Sequence, residues 1–190
     1  TTHLGSTLYV YDEFNNLIRI TDALGRTTRY EYDALGRRTH RILPGGSLLS
    51  SSTSGDMERF QFSPIPNLPS TNAPNSITHH RLGGGTLEKR FDSTGRVIEI
   101  LATPASVASP TVRLVMEYTE WGAPLRIREF RGSPLPATPT RLTELGYHAA
   151  TRRLATRTTP EGALAYVWNA SGVVSRIQAN LGALFLTGTS

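Results

Sequence analysis

Apolar and polar positions alternate along this chain in short runs, and turn-forming residues close each run. In Leu17-Ile18-Arg19-Ile20-Thr21, Ile18 and Ile20 alternate with Arg19, the period of a half-buried β-strand. In Arg26-Thr27-Thr28-Arg29-Tyr30-Glu31-Tyr32, Thr28, Tyr30 and Tyr32 share one face while Arg29 and Glu31 share the other. Met57-Glu58-Arg59-Phe60-Gln61-Phe62 and Val173-Val174-Ser175-Arg176-Ile177 read as further strands. No stretch combines helical periodicity with caps, so the expectation is many strands and little or no helix.

These runs belong to a repeat. Tyr11-Asp12-Glu13-Phe14-Asn15-Asn16-Leu17 aligns with Tyr32-Asp33-Ala34-Leu35-Gly36-Arg37-Arg38 at an offset of 21 residues, and the same offset relates Tyr147 to Trp168. Phe91-Asp92-Ser93-Thr94-Gly95-Arg96-Val97 and Tyr118-Thr119-Glu120-Trp121-Gly122-Ala123 keep the aromatic start and the later Gly. The aromatic ends a strand, and Asp opens a turn by accepting hydrogen bonds from amides two or three residues on. Gly or Asn then closes the turn at positive φ. Asp22-Ala23-Leu24-Gly25 supplies a second, reverse turn, so one unit is two strands and two turns. The last full unit follows the plan through Tyr147, Leu154, a Pro160-Glu161-Gly162 turn and Tyr166. There His148 stands in place of the Asp and Thr151 in place of the Gly.

The expected organisation is a single repeat region over 1–190, with strong repeats at 1–42, a loop-rich insertion holding a diverged repeat at 43–87, and diverged repeats at 88–190. Gly/Ser-rich 44–55 and Pro/Asn/Ser-rich 64–75 stretch the spacing between Tyr32 and Phe91, which holds one or two diverged units. Pro-rich insertions at 102–111 and 132–140 read as hairpin loops on a surface. The apolar stretch 181–186 and the open strand edges predict self-association of an arc taken from a longer array.

Cysteine is absent, which excludes a disulfide framework and thiolate metal sites. No apolar run approaches the roughly 18 residues of a membrane helix, and the segment opens without the features of a secretion signal. The net charge of +5 rests almost wholly on arginine, Lys89 being the only lysine. Arginine recurs singly after glycine, at Gly25-Arg26, Gly36-Arg37 and Gly95-Arg96. That pattern favours side chains that stack on aromatics and bridge turns, with a polyanion-binding face as the competing reading.

The run Tyr30-Glu31-Tyr32-Asp33-Ala34-Leu35-Gly36-Arg37, preceded by Thr21-Asp22-Ala23-Leu24-Gly25-Arg26-Thr27-Thr28, resembles the consensus of the RHS/YD-repeat family. That family includes bacterial polymorphic toxins, the C components of Tc toxin complexes and teneurins. The resemblance covers 9–42 strongly and 88–100 and 147–177 fairly. It implies an all-β fold of consecutive antiparallel β-hairpins in a spiralling open sheet, an arc of a hollow shell that holds a toxic domain. The family's self-cleaving core carries an Asp-Pro pattern, and Asp-Pro does not occur in this chain. The segment therefore reads as shell wall without self-cleavage machinery or cargo.

Candidate chemistry is sparse. His79-His80 could ligate a metal, but adjacent strand residues face opposite ways, and a solvated loop is the plainer reading. Gly83-Gly84-Gly85-Thr86 resembles a phosphate loop but lacks the following Gly-Lys-Ser/Thr, which leaves a hairpin loop. The serines at 50–54 lie outside any nucleophile elbow. Asp12, Asp33 and Asp92 recur one per unit, too far apart to share a proton. Tyr11, Tyr30, Tyr32, Phe91, Tyr118, Tyr147, Tyr166 and Trp168 are expected to form stacked ladders between strands, with sugar binding as the alternative.

The sequence thus predicts a structural, non-catalytic segment with no catalytic, cofactor or metal residues and no cofactor. Its motif residues are Tyr11, Asp12, Gly25, Arg26, Tyr30, Tyr32, Asp33, Gly36, Arg37, Phe91, Asp92, Gly95, Arg96, Tyr147 and Trp168. Expected partners are flanking repeats or another copy through sheet edges, an encapsulated toxin domain, and, on the alternative reading as an adhesion module, cell-surface glycan. The expected location is secreted or cell-surface, as part of a larger bacterial protein.

Overall fold

β-branched and aromatic residues in alternation, punctuated by turn residues, give strands and turns throughout the computed structural model, which describes residues 5–46, 56–63 and 75–181. No helix occurs among the described residues. The serines at 50–54, the tract 64–74 and the chain from 182 onward lie outside them.

The chain divides into two compact units, the first ending at Thr111. The first unit holds β1 (Leu8–Tyr11), β2 (Leu17–Thr21), β3 (Thr27–Tyr32), β4 (Arg38–Ile42), β5 (Met57–Ser63), β6 (Ser76–His80), β7 (Thr86–Phe91) and β8 (Val97–Thr103). Each strand pairs antiparallel with the next. The second unit holds β9 (Thr111–Tyr118) from its second residue on, β10 (Pro124–Gly132), β11 (Arg141–Tyr147), β12 (Leu154–Thr159), β13 (Gly162–Trp168) and β14 (Val174–Leu181). Its pairs from β10 to β14 are also antiparallel and sequential. Both units show the expected all-β class of consecutive hairpins. Among the described residues between Tyr32 and Phe91 there is one additional hairpin, β5–β6.

Among the described residues neither unit stacks a second layer on its sheet, so burial is scarce. Among the described residues the buried apolar side chains are Ile42, Met57 and Phe130. Ile42, 1% exposed, faces Met57 across β4–β5 and Arg29 across β3–β4. The chain folds over it at 43–46, where Leu43 N donates to Asp56 O at 2.8 Å. A Cβ at Gly46 would lie 2.9 Å from Asp56 O and 3.0 Å from Ile42 Cγ2, so glycine permits that close cover.

The shared 21-residue spacing conceals two different builds. In the first unit Tyr11 pairs with Leu17 and Thr21 with Thr27, leaving five-residue loops on both sides. In the second, Tyr147 pairs with Leu154 across a six-residue loop, while Thr159 pairs with Gly162 across the two-residue turn Pro160-Glu161. One added residue in each strand restores the total. The registers also show a β-bulge beside each of Tyr11, Tyr32, Phe91, Tyr147 and Trp168. Alternation alone does not reveal it, because Ile18 and Ile20 stay half-buried on either side of exposed Arg19.

Candidate functional site

The motif residues converge on the hairpin tips, and the tip geometry follows from one carboxylate. Asp33 Oδ1 accepts from Leu35 N at 3.0 Å and Arg37 N at 2.9 Å, while Oδ2 takes the Arg37 Nε–H at 2.7 Å. Asp22 binds Leu24 N, Arg26 N and Arg26 Nε in the same way, and Asp92 binds Thr94 N, Arg96 N and Arg96 Nε. At Asp12 the Arg is replaced by Asn16, whose amide nitrogen donates to Oδ2 at 3.0 Å. The bonded amides are therefore two and four residues on, not two or three. A five-residue loop lets the fourth residue turn back under the carboxylate, and the amide three residues on instead donates to the Asp carbonyl.

The residue three after the Asp sits in the left-handed region, with φ 64° at Asn15, 77° at Gly25, 73° at Gly36 and 84° at Gly95. In the diverged tip after Tyr147 that role falls to Arg152, φ 55°, and not to Thr151. The loop there is one residue longer, and His148 N donates to Arg153 O. Gly83-Gly84-Gly85 belongs to a loop of the same backbone pattern, with Arg81 N donating to Gly85 O. It is the hairpin loop of the plainer reading.

Side-chain bonding lowers the carboxyl pKa of Asp12 through Asn16, of Asp22 through Arg26 and of Asp33 through Arg37. At Asp92 partial burial opposes ionisation, but the Thr94 hydroxyl, Arg96 N and the Arg96 guanidinium outweigh it. These carboxylates are committed to their own loops.

The rings of Tyr32, Tyr147 and Trp168 are engaged by backbone carbonyls rather than by a stacked ladder. Tyr32 Oη donates to Leu17 O at 2.9 Å, Tyr147 Oη to Pro124 O at 2.6 Å, and Trp168 Nε1 to Leu154 O at 2.7 Å. Each ring ends a strand, and each acceptor is the first residue of the strand before it. A bulky ring at the strand end reaches back over that neighbour, and its polar end finds an unused carbonyl there. Phe91 has no such group, and its backbone N–H donates to Asn75 O at 2.8 Å at the corresponding place. These clasps tie each hairpin to the one before it. Stacking does occur at Phe60–His79, with centroids 4.4 Å apart, and Trp121 meets Tyr147 edge-on. Replacing Tyr32 by Phe keeps the ring and removes the clasp. The expected loss is about 0.5–1.5 kcal/mol in urea denaturation, and Tyr11→Phe should cost less, Tyr11 being 52% exposed.

The arginines do what their spacing suggested. Arg26, Arg37 and Arg96 pair with the Asp four residues before them. Arg37 lies over Phe62, Arg38 over Phe60, Arg152 over Trp121 and Arg153 over Trp168.

His79 and His80 lie in β6 rather than in a solvated loop. His79 stacks on Phe60 with Nε2 3.4 Å from Glu58 Oε1, whereas His80 Nε2 lies 3.3 Å from an Arg59 guanidinium nitrogen. The alternating faces of a strand keep the two rings apart, and no group of three metal-ligating side chains occurs among the described residues.

No curated protein matches the chain. Among solved structures, TcdB2-TccC3-TEV resembles it at 14% identity and a TM-score of 0.42, over 95% of this chain and 12% of that one. TcdB2-TccC3 resembles it at 15% identity and 0.33, over 93% and 12%. The Photorhabdus luminescens Tc holotoxin pore does so at 14% and 0.27, over 91% and 12%. The chain thus spans about an eighth of the length of these structures. Residues 11–48 match the RHS Repeat family model. They cover β2 to β4 and the tips at Asp12, Asp22 and Asp33, so the likeness to that family lies in this part of the chain.

Proposed function

We propose that the chain is a stretch of encapsulating wall in a larger secreted or cell-surface bacterial protein, shielding a toxin domain and doing no chemistry itself. The observation that carries this reading is the repeated clasp from a strand-end aromatic to the preceding strand. Such a joint extends a sheet sideways hairpin by hairpin without a hydrophobic second layer, as a wall requires. The tip carboxylates support it, because each is consumed by its own loop. Flanking repeats are the natural neighbours of the outer strands, and a single repeat region over 1–190 is the organisation that fits.

Cryo-electron microscopy of the full gene product is the test. The expected result is a β-walled shell around enclosed density, with the enclosed domain resistant to trypsin until the wall is denatured. A compact helical particle, or a cargo domain cleaved as fast in the full protein as when free, would overturn the proposal.

A further inference from the structure

Across the described registers, Asp/Glu and Lys/Arg residues that face each other pair by opposite sign, and one pair breaks the pattern. Arg41 faces Glu58, Arg90 faces Glu99, Arg126 faces Glu144 and Glu129 faces Arg141. Arg19 on β2 instead faces Arg29 on β3. Directly opposed residues in an antiparallel pair project from the same face, about 5 Å apart at Cβ, where like charges destabilise the pairing. The next strands offer no relief in register, since Arg19 faces Val10 on β1 and Arg29 faces Ile42 on β4.

The surroundings orient one of these cations without neutralising it. An Arg29 guanidinium nitrogen donates to Gly46 O at 3.1 Å, which fixes its direction. Arg26 on the adjoining tip is already paired with Asp22, so that ion pair adds no net charge. Arg19, Arg26, Arg29, Thr27, Gly25 and Gly45 line one groove of about 430 Å³ between the tip at 22–26 and the cover at 43–46. Among the described residues no carboxylate is ion-paired with Arg19 or Arg29, and Glu31, on the same face of β3, is engaged by His40 at 3.2 Å.

We propose that this groove binds a tetrahedral oxyanion, a sulfate or phosphate group, between the Arg19 and Arg29 guanidiniums. A guanidinium fork presents parallel N–H donors that match pairs of oxyanion oxygens. A group with several oxygens can engage two forks at once, and its double charge balances both, which a carboxylate does not. The ligand removes the repulsion between β2 and β3, so binding stabilises the sheet it occupies. This site goes beyond the encapsulation reading and does not depend on it.

Thermal unfolding of the purified chain in sodium sulfate, against sodium chloride at equal ionic strength, tests the site. The expected result is a saturable rise in melting temperature at low sulfate concentration. Arg19→Gln and Arg29→Gln should each abolish it, while Arg176→Gln, outside the groove, should keep it. Arg19→Gln in chloride should be at least as stable as the parent, because it removes the like-charge pair and no described hydrogen bond. A second arm uses a sulfated disaccharide in place of the free ion. A saturable response to either probe supports the site, and a response to the disaccharide alone assigns the group to a saccharide carrier. Responses to both probes no different from chloride, or a sulfate response retained in Arg19→Gln, would overturn it. The latter would be the general salting effect of sulfate.

Discussion

Ile42→Ala lowers the stability of the first unit by about 2–5 kcal/mol, the range for removing a fully enclosed aliphatic side chain. The high expectation comes from scarcity. Among the described residues Ile42 and Met57 are the buried apolar pair of that unit, and no second layer there can collapse into the place of the methyl groups lost. Gly46 cannot move in to fill the gap freely, because its segment is held by the Leu43 N to Asp56 O hydrogen bond. Urea denaturation followed by tyrosine and tryptophan fluorescence measures the loss, with Val107→Ala as the control. Val107 is 95% exposed, and its replacement should stay within about 0.5 kcal/mol. Equal midpoints for the two variants would mean that Ile42 is not the anchor its burial implies.

That anchor could not be found from the sequence, whereas the tips could. Asp33, Gly36 and Arg37 lie within one loop, and local chemistry fixes their roles: a short carboxylate, a residue free to take positive φ, and a fork that reaches back. Ile42 carries no local mark, since it ends one alternating strand among many and is buried only because residues 43–46 return across it. The clasps were hidden for a related reason. Tyr32 and Leu17 are joined through space, and an aromatic at a strand end is equally compatible with stacking until the register is known.

The tip after Tyr147 shows how a true signal can mislead in detail. The 21-residue offset to Trp168 is real, yet it arises from a longer first loop, longer strands and a shorter second turn. Aligning by offset therefore assigned the left-handed position to Thr151, one residue before Arg152, which occupies it. The opposition of Arg19 and Arg29 was likewise beyond reach. Whether two arginines ten positions apart face each other depends on loop length and bulge position together.

Acid weakens the protein in two stages that can be assigned to residues. The first belongs to His80, whose pKa is lowered by burial, then by the charge of Arg59 and by His79. Neutral His80 accepts from Arg59 across β5–β6, with its own proton on Nδ1. A protonated ring would turn a donor toward a donor and set two cations side by side. From the other flank β7 presents Thr86 in register, with Glu88 two residues along and already bound to Arg90. The unfolded chain takes up this proton near pH 6.5, before the folded one does, so stability falls as pH drops below that value and levels off below the folded pKa. The second stage belongs to Asp12, Asp22, Asp33 and Asp92, whose folded pKa values are lowered. Their contribution is complete above about pH 4 and is lost as pH falls through the folded values, when each loop loses its bridging carboxylate. Urea midpoints from pH 8 to pH 2 at constant ionic strength should show both stages. His80→Gln should flatten the slope between pH 7 and 5 and leave the acid limb intact, while Asp33→Asn should do the reverse. A His80→Gln profile that superimposes on the parent above pH 5 would remove His80 from the first stage and leave the acid limb to the tips.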